Sequence, residues 1–156
     1  MSISVGQTAP DLKLPDTEKK IHILSEYKGK NVLLLFFPFA FTGTCTKELC
    51  GVRDDLARYT NANAEVFGIS IDTHFTLKKY KEEQGLTFPL LSDFNKEAIT
   101  AYDVTYEEFV MMKGVAKRAA FLVDKEGIIR YAEVLENASE IPDFDAINKV
   151  LEEMGK

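Results

Sequence analysis

Apolar and polar positions follow one another along the chain with a period that changes several times. Asp11 to Leu14 and Lys20 to Leu24 are short alternating or apolar stretches separated by Pro15, Asp16 and Thr17, which predicts a small amino-terminal β-hairpin. The polar turn Lys28, Gly29, Lys30 and Asn31 leads into Val32 to Phe37, a continuous apolar run expected of a strand buried on both faces. Beyond Pro38, Leu49, Val52, Leu56 and Tyr59 recur at three- and four-residue steps, as on one face of a helix. Thr42 and Thr44 are its candidate caps, and Asn61 and Asn63 end it. Glu65 to Ile71 reads as a second central strand. Asp72 and Thr73 can cap the next helix, which runs to about Glu83 and stops before Gly85.

The second half is shorter in its periods. Leu86 to Asp93 is a short strand and loop, Lys96 to Tyr102 a short helix, and Tyr106 to Met112 fits no period. Lys117 to Val123 and Ile128 to Val134 flank a turn of Asp124, Lys125, Glu126 and Gly127 and read as a hairpin. Ile141 to Met154 is an amphipathic helix with Phe144, Ile147, Val150, Leu151 and Met154 along its apolar stripe. This order predicts an α/β chain. A central mixed sheet, parallel in its first half and antiparallel in its second, is flanked by helices in a thioredoxin-like arrangement. No repeat or linker divides it, so residues 1–156 read as a single domain.

Composition narrows the partners. The 156 residues are 46% hydrophobic, enough for a sizeable core, and the formal net charge of −6 offers nothing to nucleic acid or to an anionic membrane surface. The longest apolar run, Val32 to Phe41, is broken by Pro38 and falls well short of the roughly 18 to 20 residues that span a bilayer. The start, MSISVGQTAPDLKL, has no basic segment followed by an apolar stretch and cleavage site, so a cytoplasmic location is expected by default. Cys45 and Cys50 are the two cysteines, and one short-span cross-link would staple a chain of this length poorly. They read instead as catalytic, redox-active or metal-binding thiols. A zinc site would need two further ligands, and His22 and His74 have no metal-ligand spacing.

Phe37 to Cys50 (FPFAFTGTCTKELC) lies where a buried strand becomes a helix. A helix amino terminus exposes unpaired N–H groups and partial positive charge, which favour an anion; a cysteine in that first turn is favoured as its thiolate, the nucleophilic form. The segment closely resembles the active-site loop of the peroxiredoxins, whose pattern is Pro, three residues, Thr or Ser, two residues, Cys; Pro38, Thr42 and Cys45 fit it. The opening APDLKL and the stretch Phe88 to Asp93 are also similar to the family. The placement of Cys50 looks most like the bacterioferritin comigratory proteins, while FPFAFTGTCTKEL resembles the one-cysteine alkyl hydroperoxide reductase E-type enzymes.

The resemblance implies a thiol peroxidase that reduces hydrogen peroxide and small organic hydroperoxides with no metal or flavin. Cys45 would attack the peroxide and become a sulfenic acid. Arg118 would hold the thiolate and stabilise the reacting oxygens. Thr42 Oγ1 would hydrogen-bond thiolate and peroxide, Pro38 would shield the sulfur from bulk water, and Glu48 would orient the arginine. Cys50 would resolve the sulfenic acid as a disulfide. Residues five apart on a helix lie about 140° apart around the axis, with Cα atoms roughly 8 to 9 Å apart, beyond the disulfide limit of about 7 Å, so the helix start must unwind. With no Cys-x-x-Cys pair in the chain, a thioredoxin-like donor is implied as reductant, and a homodimer is implied as a possible assembly.

Blander readings stand beside these. Cys50 can be a small hydrophobe facing the core, Arg118 a strand-end arginine, Thr42 a cap, Pro38 a strand terminator and Glu48 a first-turn acid. Tyr106, Phe109, Val110, Met111 and Met112 are expected as core before pocket wall or subunit contact. A peroxide sensor passing its disulfide to a protein, and a noncatalytic binding module of the same fold, are the rival functions.

Overall fold

The computed structural model describes residues 3–154; the leader and domain readings extend to residues 1, 2, 155 and 156, which lie outside the described residues. The elements in chain order are β1 (Lys13–Pro15), β2 (Ile21–Ile23), a 3-10 turn (Leu24–Tyr27), β3 (Asn31–Phe36), α1 (Gly43–Asp54), α2 (Leu56–Asn61), β4 (Ala64–Ser70) and α3 (His74–Gln84). They continue with β5 (Leu90–Ser92), α4 (Glu97–Ala101), β6 (Thr105–Tyr106), β7 (Val115–Ala116), β8 (Arg118–Val123), β9 (Ile129–Leu135) and α5 (Phe144–Met154).

Five strands form the central sheet in the order β5-β4-β3-β8-β9. β3 runs parallel to β4, and β4 to β5, whereas β8 is antiparallel to both β3 and β9. The expected mixed sheet is thus present, and β3 at its centre is buried at every residue. Its side chains divide by parity, as a strand must. Leu33, Leu35 and Phe37 enter a core with Leu49 and Val52 of α1, Tyr59 of α2, Leu77 and Tyr80 of α3, and Ile147 and Leu151 of α5. Val32, Leu34 and Phe36 enter the opposite core with Leu12, Leu14 and Leu24 of the hairpin region and Ala98 and Ile99 of α4. Gly68 in β4 is needed where it stands, because a Cβ there would lie 2.7 Å from Leu90 Cδ2 and 3.3 Å from Phe37.

The hairpin β1/β2 forms as expected and is fastened by His22, whose ring nitrogens contact Asp16 Oδ2 and Tyr27 OH at 2.7 Å each. Three expectations are corrected. The single helix through Tyr59 is two, broken at Asp55, whose N–H turns back to Val52 O and whose carboxylate accepts from Arg58 Nε. An aspartate offers these local partners to the backbone in place of helical ones, so it interrupts the helix while the apolar face continues across the break. Of the caps, Thr73 accepts from Thr76 N, but Thr42 occupies the N-cap position of α1 without a capping bond and Thr44 lies inside the helix. The third concerns residues 105–116, which form the small hairpin β6/β7. Only Tyr106 of the expected core cluster is buried; Val110 and Met111 stand exposed in left-handed backbone conformations at the turn.

Candidate active site

β3 delivers the chain to the amino terminus of α1 through residues 37–42, and β8 begins beside the end of β3. The antiparallel register pairs Phe36 with Ala119, so Arg118, the first residue of β8, lies level with the strand-to-helix loop. That is how residues 73 positions apart meet.

The loop is held from beneath. Asp72, just past β4, accepts from Ala40 N and from Ser70 Oγ, both at 2.8 Å. Burial pushes its carboxyl above the usual range while those bonds pull it back. Phe41 takes a left-handed φ of 67°, uncommon for an aromatic residue, and its ring meets Tyr80 edge-on at 5.0 Å. Thr46 Oγ1 donates to Thr42 O at 2.8 Å and accepts from Tyr80 OH at 2.8 Å, tying the first turn of α1 to α3.

Cys45 sits in that first turn with no exposed surface. Arg118 NH2 donates to its Sγ at 3.2 Å, and Arg118 NH1 donates to Glu48 Oε1 at 2.7 Å. Nε and NH2 of the same guanidinium also donate to Ala138 O, at 3.2 and 2.8 Å. The fork is therefore fixed on three sides, with Arg118 and Glu48 each 1% exposed. Burial pushes the Glu48 carboxyl up to about 7, against the lowering effect of Arg118. Burial works against charge on Arg118 too, but Glu48 and Cys45 more than offset it and hold the guanidinium above its ordinary value. The two directions belong together: one cation faces two groups able to be anions, and the site is too dry to welcome both.

A cavity of about 350 Å³ is lined by Cys45 together with Pro38, Thr42, Gly43, Phe109, Arg118 and Ser139. The structure thus gathers Cys45, Arg118, Glu48, Pro38 and Thr42 in one place. Thr42 Oγ1 donates to Phe39 O at 3.1 Å and not to the sulfur. Cys50 is elsewhere: half-buried further along α1, its Sγ lies 3.7 Å from Gln84 Oε1 at the end of α3. Both cysteines are free thiols. Sequence reasoning missed the Ala138 carbonyl, which no side-chain pattern announces, and it expected Phe109 in the core where the structure makes it a pocket wall. Another cavity, of about 190 Å³, lies beside Leu24, Val32 and Val123 and contains no cysteine. Among the described residues, no three His, Cys, Asp or Glu side chains cluster as metal ligands.

The AhpC/TSA family model matches residues 5–132. The chain belongs to that family. Among relatives of this peroxiredoxin, alkyl hydroperoxide reductase E of Mycobacterium bovis is 44% identical over 133 residues, covering 85% of this chain and 86% of that protein. The putative peroxiredoxin bcp of Coxiella burnetii is 39% identical over 132 residues, covering 83% and 87%. Among solved structures, peroxidoxin BcpB of Mycobacterium tuberculosis superposes with a TM-score of 0.86 at 27% identity, covering 97% of this chain and 98% of that one. The enzyme is accordingly a peroxiredoxin with thiol-dependent peroxidase activity, on the thioredoxin-like fold expected from its element order.

Proposed function

We propose that Cys45 is the peroxidatic thiolate of this peroxiredoxin and that its substrates are hydrogen peroxide and small organic hydroperoxides. The observation that carries the reading is the 3.2 Å bond from Arg118 NH2 to Cys45 Sγ at a helix amino terminus facing a cavity. In that arrangement the sulfur attacks the terminal peroxide oxygen while the O–O bond breaks. Negative charge moves onto the departing oxygen, where the fixed cation and the open N–H groups of α1 lower the barrier. Pro38 excludes water from the sulfur, Glu48 and Ala138 O hold the guanidinium, and Thr42 turns its hydroxyl from Phe39 O to the bound peroxide. The product is a Cys45 sulfenic acid. No metal, flavin or other cofactor enters these steps.

Cys50 then condenses with the sulfenic acid to give a disulfide, and a thioredoxin-like dithiol reduces it. Since Cys45 and Cys50 belong to one continuous helix, α1 must first unwind. The placement of Cys50 against Gln84 favours a second route in the intact helix, in which an outside thiol attacks the sulfenic acid directly. The protein works as one domain in the cytoplasm, away from nucleic acid. Among the described residues, no helix is long and apolar enough to cross a membrane. A homodimer accords with the exposed side chains of Phe75, Phe94, Val110 and Met111.

The test is intact mass and peptide mapping after one equivalent of hydrogen peroxide meets the reduced protein. A loss of about 2 Da linking Cys45 and Cys50 supports the disulfide route, and a gain of about 16 Da on Cys45 supports the outside thiol. No rapid change at Cys45 overturns the reading.

A further inference from the structure

The partnership with Arg118 engages only one of the two carboxyl oxygens of Glu48. Its Oε1 accepts from Arg118, but Oε2 is fully buried and has no hydrogen-bond partner. A carboxylate with a dry, unpaired oxygen is poorly stabilised, and a neutral acid suffers far less from the same surroundings. The charges facing it do not repair this. Arg118 of β8 is shared with Cys45, Glu133 of β9 raises the cost of an anion at Glu48, and Tyr80 of α3 is neutral. From α5 come Phe144 and Asn148, neither of them titratable, and Lys47 and Asp55 stand at the rim with opposite signs.

Glu48 also faces a second space. A cavity of about 180 Å³, distinct from the one that Cys45 lines, is lined by Glu48, Gly51, Val52, Tyr59, Phe144 and Asn148. It has room for several water molecules, and Glu48 forms part of its wall.

We propose that Glu48 carries a proton while Cys45 is a thiolate and releases it through this cavity when Cys45 becomes a neutral sulfenic acid, so that one guanidinium always faces one anion. The inference rests on the reading of Cys45 as the peroxidatic cysteine. The sulfur gives an electron pair to the terminal oxygen of the hydroperoxide, an S–O bond forms, and the O–O bond breaks with its electrons leaving on the alkoxide. Sulfur is oxidised by two electrons and the peroxide reduced by two. The alkoxide takes one proton from water, and Glu48 returns one to water. Thiolate, carboxylic acid and hydroperoxide thereby become sulfenic acid, carboxylate and alcohol, with no net proton drawn from solvent. Glu48 touches neither peroxide nor sulfur; it is a positioning residue whose charge follows that of Cys45 through Arg118.

The experiment uses the full chain with Cys50→Ser, which halts oxidation at the sulfenic acid. One equivalent of hydrogen peroxide is added in weak buffer at about pH 6 with an indicator dye, and the mass of Cys45 is read on the same sample. Proton uptake near zero per Cys45 oxidised is expected, rising to near one when Glu48→Gln is added. Equal uptake in the two proteins overturns the Glu48 inference while leaving the peroxidase reading intact; no mass gain on Cys45 overturns both. Should Glu48→Gln fail to fold, the infrared difference spectrum of the Cys50→Ser protein decides. Loss of a protonated-carboxyl band with gain of a carboxylate band on oxidation supports the inference, and an unchanged carboxyl region overturns it.

Discussion

Arg118 makes four hydrogen bonds, to Cys45, to Glu48 and twice to Ala138, and only a planar fork can make them together. Arg118→Lys keeps the charge and loses that geometry. Its rate of Cys45 oxidation, followed by stopped-flow with hydrogen peroxide, should fall by about 10² to 10³, the usual effect of removing one preorganised donor. Glu48 makes a different prediction, about stability. Its folded carboxyl is raised from 4.5 to about 7, so between those values the folded protein holds a proton that the unfolded chain has lost. Stability then falls as pH rises through that window, by up to roughly 3 kcal/mol for a shift of this size. Urea unfolding at several pH values should show this slope in the parent protein and lose it in Glu48→Gln. At this scale the sequence was legible where a motif stood behind it: Pro38, Thr42, Cys45 and Arg118 could all be named from their resemblance to family positions. The orientation of the Thr42 hydroxyl toward Phe39 O could not, because a hydroxyl at an N-cap position has several acceptors within reach and folding selects among them.

The elements followed the hydrophobic period wherever it was long. β8 and α5 lie within the segments whose patterns predicted them, and β3, β4, β9 and α3 each overrun theirs by a residue at one end. The break at Asp55 escaped because an apolar face that continues at helical spacing says nothing about a backbone interruption on the polar side. Residues 105–116 escaped because their hairpin turn uses Val110 and Met111 where a glycine or asparagine would have advertised the left-handed backbone. The helix that carries both cysteines has its own weak point. Gly51 follows Cys50 in the interior of α1, and a Cβ added there meets nothing within 4 Å. No packing demand therefore explains it, and its backbone freedom makes α1 easier to unwind. Gly51→Ala should stabilise the helix by about 0.5 to 1 kcal/mol and slow Cys45–Cys50 disulfide formation by roughly two- to fivefold, measured by rapid alkylation and mass after peroxide. An unchanged rate would mean that unwinding does not limit the disulfide.

In the whole molecule the two cores have different duties. One contains Cys45 and joins α1, α2, α3 and α5 to one face of the sheet; the other joins the hairpin and α4 to the opposite face. The His22 clasp belongs to the second, where the ring meets Phe67 at 5.3 Å and Tyr27 at 6.2 Å. His22→Ala removes two part-buried hydrogen bonds and leaves Tyr27 OH and Asp16 without them, which should cost about 1 to 3 kcal/mol in urea unfolding. The rate of Cys45 oxidation should not change, and a joint loss of stability and rate would show that the cores are coupled. This division into layers was legible from the order of strands and helices, since parallel strands need crossovers and the final hairpin needs none.

The pairing of Phe36 with Ala119 brings Arg118 to the sulfur, and it is indifferent to how the chain travels between the two strands. A slip of one residue in that register would turn Arg118 to the other face of the sheet. By contrast, the exposed turn at Val110 and Met111 lies on the route between them and takes no part in their pairing. A residue inserted in that turn would lengthen the chain between the cysteine and its arginine while leaving intact the strand pairing that sets their distance in space.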